Sequence, residues 1–301
     1  MEIEKLMNEP VVYINGGFCP KSRAKISVYD HGLLYGDGVF EGIRAYNGIV
    51  FKLKEHIDRL YQSAHTILLR IPLKKEEMAD KVVRTVRING FQNAYIRLIV
   101  TRGVGDLGLD PRKCPKPTII IIVEPTITLH GEEAKENGIR AIISWVKRDS
   151  VDGTTHEVKS LNYLNSILAK IEANNVGADE TIYLDQNGHI VEGVAENIFI
   201  VRENAIITPF TYSGALPGIT QKEIMKMAAR LGYKVEERNI TPYELFNADE
   251  VFFTGTAAEI VPVKEINGRT IGNGKPGPIT QHLMKEFGKL TQDPTQGTPI
   301  Y

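Results

Sequence analysis

Lys159 and Tyr163 are four residues apart, a spacing that brings two side chains to one face of a helix. Ser160 is a suitable helix N-cap, so the sequence predicts that Lys159 lies beside the positive end of a helix dipole. An ammonium ion is disfavoured there, and a lysine that readily loses its proton is the nucleophile that Schiff-base chemistry requires. The competing interpretation is a solvated lysine beside a core tyrosine, and spacing alone favours it.

A carboxylate in an apolar strand is the second candidate. Strand alternation puts Glu192 on the same face as Ile190 and Val194. If that face is buried, Glu192 needs a cationic partner, and the protonated pyridine nitrogen of a cofactor is one such partner. If the face is solvated, Glu192 is an ordinary surface residue, and the pattern alone leaves both interpretations open.

Two further segments offer backbone amides to anions. Thr220 and Glu223 fit a capping box at the start of a predicted helix, and the amides of a helix N-terminus suit a phosphate. The turn that contains Thr256 follows a predicted strand, and its amides suit a substrate carboxylate. Arg59 lies opposite the apolar stripe of its predicted helix, so the helical pattern predicts a solvated side chain.

Residues 103–108 match the dinucleotide fingerprint G-x-G-x-x-G, which makes a dehydrogenase a rival hypothesis. The fingerprint binds a pyrophosphate only if its last glycine opens a helix. Three prolines in residues 111–117 forbid a regular helix there, so a loop is the better interpretation. None of the seven histidines stands in H-E-x-x-H or another ligand-spaced cluster, and the sequence therefore predicts no metal site.

Short strands, tight turns and amphipathic helices must position these residues. Asn-Gly turns at 15–16 and 47–48 predict two hairpins, and apolar residues from Ile57 to Leu68 predict a helix. Further strands are predicted at 95–101, 117–123, 139–146 and 251–254, a hairpin at 181–201, a helix at about 220–231, and a helix with Leu161, Leu164, Leu168 and Ile171 on one face.

The chain has 301 residues, more than one domain usually holds, which predicts two domains that share a cleft. A change in composition predicts a small N-terminal α+β domain at 1–124, a linker at 125–133 and a large domain at 134–301. A net charge of -1 gives no reason to expect nucleic acid or a membrane surface as partner. Short apolar runs, no secretory signal and two cysteines predict a soluble cytoplasmic protein.

Together these segments resemble the fold-type IV pyridoxal-phosphate enzymes and, within them, the branched-chain amino acid aminotransferases. The resemblance covers nearly the whole chain and rests on motifs at 35–44, 55–60, 95–97, 159–163, 191–197, 216–220 and 254–260. It implies an α+β fold with two mixed α/β domains in the architecture of the D-amino acid aminotransferases, the site lying at the domain interface. It also implies a homo-oligomer, at least a dimer.

The resemblance implies that pyridoxal 5′-phosphate forms a Schiff base with Lys159, which then moves a proton between substrate and cofactor. Glu192 would pair with the pyridine nitrogen, and Tyr163 would bind the ring hydroxyl. The other implied cofactor contacts are Arg59, Leu216, Gly218, Ile219, Thr220 and Thr256. The implied substrate contacts are Tyr35, Phe40, Gly42, Tyr95, Arg97, Thr256 and Ala257. The implied reaction is ping-pong transamination of leucine, isoleucine and valine with 2-oxoglutarate, whose side-chain carboxylate Arg97 would bind.

Two features leave alternatives open. Many members carry aromatic residues where this chain has Pro125–Leu129, so the side-chain preference can differ. The segment 159–162 also resembles the D-amino acid aminotransferases, although Arg97 and residues 254–258 favour the branched-chain group. A lyase that acts on aminodeoxychorismate is a further enzyme alternative. A non-catalytic binding module is disfavoured, because it has no use for both Lys159 and Glu192.

Overall fold

The computed structural model describes residues 9–126 and 130–301. Residues 127–129, part of the predicted linker and of the segment 125–129, lie outside the described residues. The chain forms two compact units: the first comprises Met1–Ile127, Val158–Asn162 and Thr291–Tyr301, and the second comprises Thr128–Glu157 and Tyr163–Leu290. Lys159 therefore belongs to the first unit, although the residues just before and after its short segment belong to the second.

The elements run in chain order as follows. The first half holds β1 (Val11–Ile14), β2 (Gly17–Pro20), α1 (His31–Tyr35), β3 (Gly38–Tyr46), β4 (Ile49–Phe51), α2 (Leu53–Thr66), α3 (Lys75–Asn89), β5 (Ala94–Thr101), β6 (Thr118–Pro125), α4 (Gly131–Asn137) and β7 (Ile139–Ile143). The second half holds α5 (Leu164–Asn175), β8 (Glu180–Leu184), β9 (Ile190–Gly193), β10 (Asn197–Arg202), β11 (Ala205–Thr208), α6 (Ile219–Arg230), β12 (Lys234–Glu237), α7 (Pro242–Phe246), β13 (Glu250–Gly255), β14 (Glu259–Ile266), β15 (Arg269–Thr270), α8 (Pro278–Gln292) and β16 (Gly297–Pro299).

The first unit is built on a seven-stranded sheet in the order β16-β4-β3-β5-β6-β1-β2. Strand alternation gives β3 two chemically different faces. Val39, Ile43 and Ala45 join one apolar core with residues of α2 and α3 such as Leu60 and Val82. Phe40 and Gly42 stand at the alternate positions of β3 and therefore lie on the face away from that core.

The second unit is built on a nine-stranded sheet in the order β12-β11-β10-β13-β14-β7-β8-β9, with β15 paired to β14. Two of its three parallel pairs are joined through helices: α5 connects β7 to β8, and α6 connects β11 to β12. The strand β9, which contains Glu192, and the next strand, β10, are buried along almost their whole length. A carboxylate in β9 is therefore placed in a low-dielectric setting.

Most predicted elements are confirmed, with shifted ends. Both Asn-Gly turns close antiparallel hairpins, and their asparagines have positive φ, 47° at Asn15 and 48° at Asn47. The region 103–117 contains only a short 3-10 helix at Pro111–Lys113, so the dinucleotide interpretation fails for the reason expected. Among the described residues, no helix is long and apolar enough to span a membrane.

The prediction for α5 was wrong about where the helix begins. The helix begins at Leu164, so Leu161 and Ser160 lie before it, and Ser160 is not its N-cap. The predicted apolar stripe is exposed: Leu164, Leu168 and Ile171 are 69%, 43% and 48% exposed, whereas Ala169 and Ala173 are buried. Periodicity finds the apolar face of a helix, but it cannot tell whether this chain covers that face.

Candidate active site

The face of β3 and β5 opposite the core gathers four of the predicted substrate residues. Gly42 is paired with Arg97 in the β3–β5 ladder, and Arg44 with Tyr95. Arg97 donates a hydrogen bond to the Tyr95 hydroxyl at 3.1 Å, and its guanidinium lies 4.5 Å from the centre of the Phe40 ring. Any Cβ at Gly42 would come within 2.4 Å of the Tyr95 hydroxyl oxygen, so only glycine leaves room for this arrangement.

Lys159 lies against the same aromatic ring. Its Nζ is 4.6 Å from the centre of the Phe40 ring, a cation–π distance. Its backbone is fixed by two hydrogen bonds within the first unit: its N–H donates to the Ser63 hydroxyl at 3.1 Å, and its carbonyl accepts from the Phe40 N–H at 3.0 Å. The predicted position at a helix N-terminus was wrong, because a β-bridge between Ser160 and Val39 holds this segment in an extended conformation.

Arg59 is buried, contrary to the prediction from the helical pattern. Its Nε and Nη2 donate to the two carboxylate oxygens of Glu41, each at 2.8 Å, and Nδ1 of His56 is 2.8 Å from the same carboxylate. Glu41 lies in β3 and was not predicted as a site residue. A buried arginine needs an anionic partner, and that need would have pointed to a carboxylate such as Glu41. The sequence does not show, however, that this part of α2 is covered by other residues.

The charges of this cluster are set by burial and pairing. Burial alone would raise the pKa of Glu41, but the charge and hydrogen bonds of Arg59 and the hydrogen bond of His56 outweigh it and lower the pKa to about 2. Burial, opposed by Glu41 and aided by the charges of Arg59 and Lys159, lowers the pKa of His56. Glu41 and Arg59 therefore form the ion pair, and His56 adds a neutral hydrogen bond.

Glu41→Gln is expected to lower the free energy of unfolding by about 3–5 kcal/mol near neutral pH, because Arg59 is left as a buried charge without its counter-ion. The pKa of Glu41 is lower in the folded than in the unfolded chain, so its contribution is complete above the unfolded value, about 4.5, and is lost as pH falls towards about 2. The difference between variant and wild type should shrink over that range. Urea unfolding followed by circular dichroism measures it, with the exposed Glu76→Gln as control; equal stability of both variants at neutral pH would refute the pairing.

Glu192 is buried in the second unit, which settles the question that alternation left open. Its Oε1 accepts a hydrogen bond from Arg148 Nη2 in a buried ion pair. Its Oε2 accepts from the Asn197 side chain at 3.2 Å and from the Leu216 N–H at 3.0 Å. Arg148 was not predicted. As with Glu41, only the burial of its partner indicates that this charged residue is needed: once Glu192 is known to be buried, a cationic partner is expected.

The start of α6 differs from the predicted capping box. Its N-cap is Gly218, and the side chain of Gln221 accepts a hydrogen bond from the Gly218 N–H at 3.3 Å. Thr220 is therefore the second residue inside the helix and is buried there, and Glu223 pairs with Lys226 instead of capping. A Cβ at Gly218 would overlap the side-chain oxygen of Asn197, so a bare glycine keeps this helix end close to the residue that binds Glu192.

The remaining predicted residues fall into both units. Tyr35 ends α1 in the first unit, and its hydroxyl accepts a hydrogen bond from Gly108 at 2.9 Å. Tyr163 is the N-cap residue of α5 in the second unit, and Thr256 and Ala257 form the turn between β13 and β14. Within units, the structure thus brings together Phe40, Gly42, Tyr95, Arg97 and Lys159 in the first, and Glu192, Leu216 and Gly218 in the second.

Comparison with known proteins places this arrangement in a family. The profile of "Amino-transferase class IV" matches residues 38–266. A Methanocaldococcus jannaschii protein with the provisional name of a branched-chain-amino-acid aminotransferase is 57% identical over 276 residues, which cover 92% of this chain and 94% of that protein. The Pseudomonas aeruginosa branched-chain-amino-acid aminotransferase is 40% identical over 291 residues, which cover 95% of this chain and 94% of that protein.

Solved structures agree with the sequence comparison. The Escherichia coli branched-chain amino acid aminotransferase superimposes with a TM-score of 0.94 at 35% identity, covering 98% of this chain and all of that one (100%). A second solved branched-chain amino acid aminotransferase, in a structure with pyridoxamine 5′-phosphate, gives a TM-score of 0.93 at 37% identity, with the same coverage. The predicted family and the predicted α+β, fold-type IV architecture are thereby confirmed, and the chain belongs to the class IV aminotransferases, in the branched-chain amino acid aminotransferase group.

Proposed function

We propose that this enzyme transfers the amino group of leucine, isoleucine or valine to 2-oxoglutarate by a ping-pong route, with pyridoxal 5′-phosphate attached through Lys159. When bound, this cofactor supplies an aldehyde that condenses with amines and a pyridine ring that accepts electrons. The observation that carries the proposal is the group around Phe40: an amine (Lys159), a guanidinium (Arg97) and a phenol (Tyr95) on one sheet of the first unit.

The residues present fit the cofactor. A lysine amine is available for the aldehyde, and a buried carboxylate with hydrogen bonds to Oε2, Glu192, suits a protonated ring nitrogen. The twelve-residue helix α6 has Gly218 as its N-cap and Thr220 in its first turn, and such a helix N-terminus suits a phosphate. A guanidinium has five N–H donors, so Arg59 can pair with Glu41 and still bind a phosphate oxygen.

In the proposed reaction Lys159 would hold and move the proton that leaves the substrate Cα. Arg97 binds the side-chain carboxylate of glutamate or 2-oxoglutarate, because a guanidinium matches a carboxylate in shape and charge. In the other half-reaction Tyr35, Phe40 and Gly42 would line the pocket that accepts a branched aliphatic side chain instead. The α-carboxylate would bind Tyr95 and the amides of Thr256 and Ala257, and Tyr163 would hold the ring hydroxyl.

Purified protein is expected to show the visible absorption band of the bound cofactor, and L-leucine should bleach it, with 2-oxoglutarate restoring it. The same assay with D-alanine tests the D-amino acid alternative, and pyruvate release from aminodeoxychorismate without a keto acid tests the lyase alternative. A band that does not respond to leucine, isoleucine or valine would exclude the proposal. If D-alanine bleaches the band and L-leucine does not, the enzyme acts on D-amino acids instead.

We also propose that the protein works as a homo-oligomer. The exposed apolar face of α5 supports this, together with Trp145, which is 74% exposed, because monomers seldom leave such a surface uncovered. Sedimentation equilibrium of the purified chain should give a mass of at least two chains, and a monomer at micromolar concentration would contradict it. The cytoplasmic location expected from the sequence stays a prediction.

A further inference from the structure

Three side chains of metal-ligating type meet in the second unit, on segments far apart in sequence. His130 precedes α4, Glu180 begins β8 and Glu196 precedes β10. One ligand atom from each lies within 4.8 Å of the others, and Nε2 of His130 is 3.0 Å from Oε1 of Glu196. Tetrahedral ligand atoms about 2.1 Å from one ion are about 3.4 Å apart, so the imidazole and the carboxylate, which are joined by a hydrogen bond, need to separate only slightly to share a metal ion.

Glu196 has an unsatisfied carboxylate oxygen. The residue is 3% exposed, and among the described residues its Oε2 is buried without a hydrogen-bond partner. A buried carboxylate oxygen that accepts no hydrogen bond is costly, so its presence points to a cation that the protein atoms do not supply. Glu180 is likewise 3% exposed, and its Oε1 is oriented by the N–H groups of Thr181 and Val194 at 2.8 Å and 3.0 Å.

The three side chains also carry an excess of negative charge, which a cation would offset. Burial and the charge of Glu196 raise the pKa of Glu180 to about 7. Burial would lower the pKa of His130, but the hydrogen bond and charge of Glu196 raise it instead. The nearby ammonium of Lys170 reduces this imbalance only in part, and its Nζ donates to the carbonyl of Asp179. Two carboxylates thus compete for one histidine.

We infer that His130, Glu180 and Glu196 bind one divalent metal ion of the zinc or manganese class. One imidazole nitrogen and two carboxylate oxygens form a mixed ligand set, which favours these ions over Ca²⁺ or Mg²⁺, for which oxygen-only sites are usual. The ion would link the start of α4 to β8 and to the β9–β10 turn, four residues after Glu192, and would act as a structural clamp. It has no part in the proposed transamination.

A cavity on the second unit borders one of the three proposed ligands. A cavity of about 550 Å³ is lined by His130, Glu133, Ala134, Asn137, Lys170 and other residues. His130 lines this cavity, whereas Glu180 and Glu196 do not, so of the three proposed ligands it is the imidazole that borders the cavity. Glu133, which is exposed at the same cavity, provides a matched control because it adds a carboxylate to the cavity wall but is not one of the three ligands.

The test uses the full chain after treatment with EDTA and dialysis, titrated with ZnCl₂ or MnCl₂, with MgCl₂ for comparison. Wild type and Glu133→Gln are expected to bind one Zn²⁺ or Mn²⁺ per chain and to melt at a higher temperature when the ion is added. Glu196→Gln should bind at least about tenfold more weakly and show no rise, since loss of even an indirect partner of a ligand costs 10–100-fold.

Glu196→Gln should fold well without metal, because it removes the repulsion between two buried carboxylates. If it does not fold, His130→Gln at the edge of the cluster gives the same comparison. The inference is overturned if wild type binds neither ion stoichiometrically, or if the Glu196→Gln or His130→Gln protein binds as tightly as wild type. A melting temperature that depends on pH near 7 but not on metal would show that the cluster holds a proton instead, and would also overturn it.

Discussion

Lys159→Ala is expected to lower turnover by at least about 10⁴-fold, because it removes both the point of cofactor attachment and the group proposed to move a proton. The fold should survive, since Lys159 is held by its backbone. Its N–H bonds Ser63 and its carbonyl bonds Phe40, and neither contact needs the side chain. Circular dichroism and the melting temperature should therefore stay close to those of wild type, while leucine-dependent activity disappears.

Two variants sharpen this result. Lys159→Arg keeps a cation beside Phe40, but a guanidinium does not lose its proton in proteins, so the same loss is expected if the amine reacts and a smaller one if only its charge matters. Lys25→Ala, an exposed lysine of the first unit, should leave activity unchanged. Borohydride reduction followed by peptide mapping gives an independent readout: the adduct belongs on the Lys159 peptide of wild type and should be absent from both Lys159 variants. An adduct on any other residue would contradict the assignment.

The chemistry of Lys159 was predicted from its sequence neighbours, but its position was not. The sequence placed it beside a helix N-terminus, whereas the structure holds it at the edge of β3 through Phe40 and Ser160. The pattern of residues within a segment indicates only which local structure that segment prefers. The β-bridge from Ser160 to Val39, about 120 residues earlier, is a tertiary contact and cannot be predicted from such a pattern. Lys159 could be picked out because a sequence motif specifies which side chains are present. The motif does not specify where those side chains lie in the fold.

Buried charges were the other gap. Helical spacing predicted a solvated Arg59, and neither Glu41 nor Arg148 was predicted as a site residue. All three are buried in ion pairs. A sequence records a charged residue in the same way whether or not another element covers it, and pairing is what makes such burial tolerable. By contrast, α3 was overlooked although Met78, Val82 and Val86 mark its buried face at helical spacing, a signal that was readable from the sequence.

Glu192→Gln should weaken both the fold and the reaction. Arg148, Asn197 and the Leu216 N–H each donate a hydrogen bond to the carboxylate, so an amide NH₂ placed there must face a donor. Arg148 also loses its buried counter-ion, and we expect the free energy of unfolding to fall by about 3–5 kcal/mol. Turnover should fall by about 10²–10³-fold, the usual cost of losing one preorganised electrostatic group, because the ring nitrogen would lose its anionic partner.

These two losses can be separated by a second substitution. In Glu192→Gln combined with Arg148→Met the unpaired buried charge is gone, and replacing a buried pair by groups without charge is often neutral for stability. The double variant should therefore regain most of the stability in urea unfolding, but turnover should stay as low as in Glu192→Gln. Because stability and turnover are measured on the same proteins, comparing the single with the double variant tells whether Glu192 acts on the reaction or only on the fold. If turnover returns together with stability, Glu192 serves only to balance Arg148, and its proposed contact with the cofactor is wrong.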